Sequence, residues 1–201
     1  MSESKPRGRK QALWERMRIQ NKKEAIWTIV FSLAGAAIYL IIALIPMPYT
    51  MVSLFKFGLA PALAVIPAVG AMRGPIAGLL TGYVGEVMHS LVVSGGIVTA
   101  TLPALAFGVM GLIVGFAGYE FSRGRSLAKM SLLSAVGFVV MASLVLVIGL
   151  MVEHAGTLAE MGFAFLPLLT VGLPTVILLT PVFGRIGQLV LKGLNPDSML
   201  G

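Results

Sequence analysis

The chain has 201 residues, 57% of them hydrophobic and 11% charged, with a net charge of +7 and a mean hydropathy of +0.95. This composition excludes an ordinary soluble domain and leaves room for about six membrane spans of roughly 20 residues in one integral domain. The absence of cysteine excludes disulfides, thiolate metal sites and cysteine nucleophiles.

Eight of the fifteen Lys and Arg fall within residues 5–23, so residues 1–25 read as a basic cytoplasmic segment. The segment runs directly into an apolar stretch. Positive-inside orientation, or contact with anionic membrane lipid, is therefore a better reading than nucleic-acid binding. No small-residue cleavage site follows a short apolar core, so it is not a removable signal. The first apolar stretch, about 27–45, carries Ser32 and Ala36 with Gly35 beside them, a face another helix could approach closely. The connection PMPYTMVSLFK then supplies Tyr49, Thr50 and Lys56. A second stretch, about 57–72, is short and holds Pro61 and Pro67, which predicts a kinked or tilted helix.

The third stretch, about 74–93, is apolar but contains Glu86 and His89 three residues apart. Gly74, Gly78 and Gly82 in its first half form two small-xxx-small steps, and the fourth stretch, about 97–119, repeats the device with Gly108, Gly111, Gly115 and Gly118. A fifth stretch covers about 130–152 and a sixth about 163–190. The expectation is an all-α integral membrane protein, a six-transmembrane-helix bundle over residues 26–192 with a short cytoplasmic tail at 193–201. The basic tail, Arg73, Arg123, Arg125, Lys129, Arg185 and Lys192 all fall on one side of the alternation, which sets both termini in the cytoplasm of a multi-pass cell-membrane protein.

In that orientation Glu86 lies about 18 Å from the start of its helix, in the outer half, with His89 one turn beyond. Ser90, Ser94, Thr99, Thr101, Glu153, His154, Thr170 and Thr175 fall at the same end. Candidate solute-binding residues are Glu86, His89, Ser90, Thr99, Glu153 and His154. An intramembrane ionisable residue is a functional candidate. Each has a plainer reading. Glu86 and His89 can satisfy each other at i and i+3, Glu153 and His154 can be solvated loop residues, Lys56 can snorkel, the hydroxyls can bond to their own helices, and the glycines can serve packing alone.

Several chemistries lack their residues. There is no GxxxxGK[ST] phosphate loop and no GxSxG elbow. A zinc site would need Glu86 and His89 with either Glu153 or His154, which makes metal chemistry the weaker reading. No cofactor, metal or catalytic residue is expected.

The run FKFGLAPALAVIPAVGAMRGPIAGLLTGYVGEVMHSLVVSGG, followed by LPALAFGVMGLIVGFAG, resembles the substrate-binding S component of energy-coupling factor transporters. The likeness extends over the whole topology through an xGPxAGxxxGxxGE turn and helix and the glycine pattern. It implies a non-enzymatic membrane subunit that captures a vitamin or related micronutrient from outside and hands it to a transmembrane coupling subunit with two ATPases. It also implies that the first outer loop gates the site, placing Tyr49, Thr50 and Lys56 near the solute. The family's small-residue docking motif, Ala-xxx-Ala, corresponds here to Ser32 and Ala36. The alternative from another class is a small integral membrane enzyme or assembly subunit using Glu86 and His89.

Overall fold

The computed structural model describes residues 22–46, 49–52, 55–95, 101–121, 124–152 and 165–194. Most of the expected amino-terminal segment and tail lies outside them. The described chain forms six apolar helices and one hairpin: α1 (Lys22–Leu44), β1 (Tyr49–Val52), β2 (Phe55–Gly58), α2 (Ala62–Arg73), α3 (Pro75–Ser94), α4 (Thr101–Gly115), α5 (Gly124–Val152) and α6 (Leu173–Leu194). A π-helical turn (Leu168–Gly172) leads into α6.

Lys22–Leu44, Pro75–Ser94, Gly124–Gly149 and Phe165–Val190 are long and apolar enough to cross a membrane. α2 and α4, at 12 and 15 residues, are shorter than the roughly 20 residues a perpendicular span needs. Large apolar side chains cover the outside of the bundle, among them Ile41, Leu132, Met151 and Leu178. Water would penalise so continuous a surface, and hydrocarbon does not.

The hairpin is the departure from an all-helical expectation: β1 and β2 pair antiparallel with Tyr49 opposite Gly58 and Met51 opposite Lys56. α2 is the buried centre of the bundle, its residues Ala62 to Gly70 all inside. Pro67 lies within it and donates no backbone hydrogen bond. The helix stops at Gly74, whose φ of 103° is accessible to glycine and strained for other residues, and Pro75 starts α3 at once. Gly74 therefore makes the corner, and its carbonyl carbon also lies against Gly115 of α4.

The seam itself runs between α3 and α4. A Cβ at Gly78 would collide with the Gly111 carbonyl, one at Gly82 with the Phe107 carbonyl, and one at Gly115 with Pro75. Backbone therefore packs directly on backbone along these helices. Gly118 meets nothing within 4 Å and takes no part. The main apolar core lies beside the seam, centred on Ile66, Met110, Phe138, Met141 and Val176. Pro174 carries no N–H to close an α-turn on the Thr170 carbonyl, at the place where the π turn occurs. Gly172 in that turn abuts the Phe138 ring.

Candidate functional site

Glu86 sits half-buried on α3, where its carboxylate accepts hydrogen bonds from Tyr39 Oη on α1 and from Ser90 Oγ at 3.4 Å. Tyr39 is 3% exposed, and its ring lies on Gly85, where a Cβ would come within 2.8 Å of Tyr39 Cδ1. The missing side chain at Gly85 thus lets an aromatic residue from another helix reach the neighbouring acid. A buried tyrosine hydroxyl requires a polar partner, and an intramembrane carboxylate requires donors, so each meets the other's requirement.

His89 completes the cluster. Its Nδ1 is 3.7 Å from Glu86 Oε1, too far for a hydrogen bond, and is buried without a hydrogen-bond partner among the described residues. The imidazole stands edge-on to Tyr39, with ring centroids 6.3 Å apart and planes at 83°. The sequence placed Glu86, His89 and Ser90 together, and the structure brings all three into contact range. It adds Tyr39, whose signal was a phenol in the middle of an apolar helix.

Tyr39 and His89 form the polar part of the wall of a cleft of about 400 Å³. Its apolar walls come from Ile42 and Ala43 of α1, Leu59 before α2, Leu63 of α2 and Val171 of the π turn. Gly58, the last residue of β2, is on its rim, so the hairpin stands at the cleft's edge. This volume lies within the range of small-molecule sites, which are mainly apolar with a few placed polar groups. The cleft is at the end of the bundle away from Lys22, Lys23 and Arg73, at the finish of α1 and the start of α2.

The remaining candidates divide. Tyr49, Thr50 and Lys56 belong to the hairpin backbone; their side chains lie outside the described part of the structure. Thr99, Glu153 and His154 lie outside the described residues altogether. Thr170 and Thr175 bond back to their own helix, to the Leu166 and Val171 carbonyls at 3.0 and 2.6 Å. Thr175 also accepts from the Ala60 amide at 2.9 Å, pinning the loop between hairpin and α2 to α6. Neither threonine lines the cleft.

Ser32 and Ala36 do not present an open docking face. They are 2% and 4% exposed, Ser32 Oγ bonds to the Thr28 carbonyl at 2.6 Å, and Thr81 Oγ1 of α3 bonds to the Ser32 carbonyl at 3.2 Å. The small residues of α1 are spent on close approach of α3 within the chain. The outward face of α1 is carried by Ile26, Ile29, Leu33 and Ile41.

Chemically, the cluster offers one carboxylate already engaged by two hydroxyls, one imidazole edge on a cleft, and apolar walls. That set gives a small, mainly apolar cleft with two placed polar groups, Tyr39 and His89. Among the described residues no group of three His, Cys, Asp or Glu is placed to hold a metal ion. A scan of protein-family models, and searches of curated proteins and of solved structures, return no match to this chain.

Proposed function

We propose that this chain is the membrane-embedded solute-binding subunit of an importer of the energy-coupling factor type. In this reading the six helices all lie in the cell membrane, the short α2 and α4 held within the bundle, and both termini are cytoplasmic. The cleft then opens outward. It captures a small molecule, a vitamin or related micronutrient, and the hairpin gates it. A coupling subunit and two ATPases drive inward release.

The observation that carries the reading is the cleft: about 400 Å³, walled by Tyr39 and His89 over Glu86, with the hairpin at its rim. An ionisable cluster inside an apolar bundle is costly, and a cleft with mixed walls is the site in which its polarity is useful. Glu86 acts here mainly by holding the Tyr39 hydroxyl, and Ser90 by bonding to Glu86. Docking of the coupling subunit falls on the exposed face of α1 around Leu33, with Ser32 and Ala36 setting the α1–α3 spacing behind it.

Mass spectrometry of small molecules released from the purified protein tests the proposal, together with proteins that copurify. A retained micronutrient-sized solute and an associated ATPase complex are expected. Turnover of a lipid or peptide by the isolated chain, with no solute retained, would overturn it in favour of a membrane enzyme.

A further inference from the structure

A second concavity shares Ile42 with the cleft as a lining residue. It is a groove of about 350 Å³ in which α2 is the floor and α1 and α6 are the walls, lined by Phe31, Gly35 and Ile38, by Ala68 and Met72, and by Gly187 among others. Every residue lining it is apolar. Glycines at both walls keep it open: Gly35 abuts Val69 and Gly187 abuts Met72, so side chains there would project into the floor.

Its dimensions and charge select an occupant. From Phe31 to Ile42 the α1 wall runs for about 16 Å, close to half of a hydrocarbon core about 30 Å thick, which is the depth of one leaflet. Over that length the wholly apolar groove of about 350 Å³ has room for a hydrocarbon chain. At the Phe31 end the Arg73 guanidinium stands 5.0 Å from the Phe31 ring centroid, directly after Met72 of the floor. Among the described residues this end of the bundle carries Lys22, Lys23, Arg73, Arg125, Lys129 and Arg185 against Glu24 and Glu120. Arg185 precedes Ile186 of the groove wall and is exposed.

We propose that the groove is a binding site for an anionic phospholipid of the surrounding membrane, one acyl chain lying between α1 and α6 on α2 and its phosphate held at Arg73. The pairing follows from chemistry alone. A wholly carbon-lined slot one leaflet deep takes an acyl chain, and basic residues at its mouth favour a negative headgroup over a zwitterionic one. Because the groove closes against α2, the bound chain fills the space that the shortest helix leaves between its two longer neighbours.

The test uses the full chain purified from vesicles of equal phosphatidylglycerol and phosphatidylcholine, with retained lipid counted by native mass spectrometry. Ala34 is exposed and lines the groove, so Ala34→Phe fills it from the wall without disturbing packed residues. Wild type should retain phosphatidylglycerol in preference to phosphatidylcholine. Ala34→Phe should lower retention about tenfold, the effect of displacing two buried methylenes, with an unchanged melting temperature. Arg73→Gln should keep the acyl chain but reduce the preference for the anionic lipid about fivefold. Lipid retention unaltered by Ala34→Phe would overturn the site, as would loss of a copurifying protein with lipid retention intact, which would make the face a protein interface. A headgroup preference unaltered by Arg73→Gln would overturn the role of Arg73.

Discussion

At the scale of single residues, the Tyr39 to Glu86 bond is the contact most open to a decisive experiment, because its two members lie 47 positions apart and on different helices. Tyr39→Phe keeps the ring on Gly85 and beside His89 and removes only the hydroxyl. A hydrogen bond to a charged acceptor contributes about 1.5–3 kcal/mol, so the variant should lose stability of that order in thermal unfolding of the purified protein. Glu86→Gln should cost a comparable amount, and the double variant should be less damaged than the sum of the two, with a coupling of about 1 kcal/mol or more. Additive losses would mean that the two groups do not bond in the folded protein. For the solute identified by mass spectrometry, His89→Ala should weaken binding about tenfold in calorimetric titration, because the imidazole is on the cleft wall while Glu86 stands behind it. Wild-type affinity in a well-folded His89→Ala would place the binding site elsewhere.

At the scale of elements, the glycine seam decides how α3 and α4 meet, and its members differ in what they tolerate. Gly78→Ala places a methyl group against the Gly111 carbonyl and within 2.8 Å of the Gly70 Cα, both backbone, which cannot turn aside. Forced separation of the helices should cost about 1–3 kcal/mol, seen as a lowered unfolding midpoint, whereas Gly118→Ala, with open space around it, should stay within about 0.5 kcal/mol of wild type. The sequence announced this seam through its four-residue glycine spacing, since that spacing keeps residues on one helical face. It could not show that Gly74 belongs to a corner, because that depends on a backbone angle, nor that Gly118 falls past the helix end. The hairpin was illegible for a related reason: YTMV and FKFG are four residues each and are joined by Ser53 and Leu54, without the Asn-Gly or Gly pair that marks a tight hairpin. At the site, Glu86 and His89 stood out by being ionisable in an apolar run. Tyr39 was hidden, because an aromatic residue in a span is read first as apolar surface and its partner lies on another helix. The Ser32 and Ala36 face was visible, but small residues mark close approach without saying which neighbour approaches, and here it is α3.

At the scale of the whole molecule, the functional reading depends on which way the bundle faces. The cleft with Tyr39 and His89 and the basic end with Arg73 lie at opposite ends of the same helices, so a single orientation places both. Under the proposed reading the loops rich in Lys and Arg stay on the cytoplasmic side, and the cleft then faces outward. The absence of native cysteine makes this directly measurable, because any introduced thiol is the only one present. Ser94 closes α3 at the cleft end and is exposed, while Ser126 is in the first turn of α5 at the basic end, where its Oγ accepts a bond from the Glu120 amide at 2.8 Å. Single variants Ser94→Cys and Ser126→Cys should therefore behave oppositely toward a membrane-impermeant maleimide added to intact cells. Position 94 should be labelled at once, and position 126 only after the membrane is permeabilised. The reverse pattern would turn the cleft to the cytoplasm, where a subunit that captures solutes from outside cannot use it, and the import reading would fall even if the cleft binds a small molecule. Labelling of both positions in intact cells would show instead that the basic end does not stay inside, removing the premise from which the outward cleft was argued.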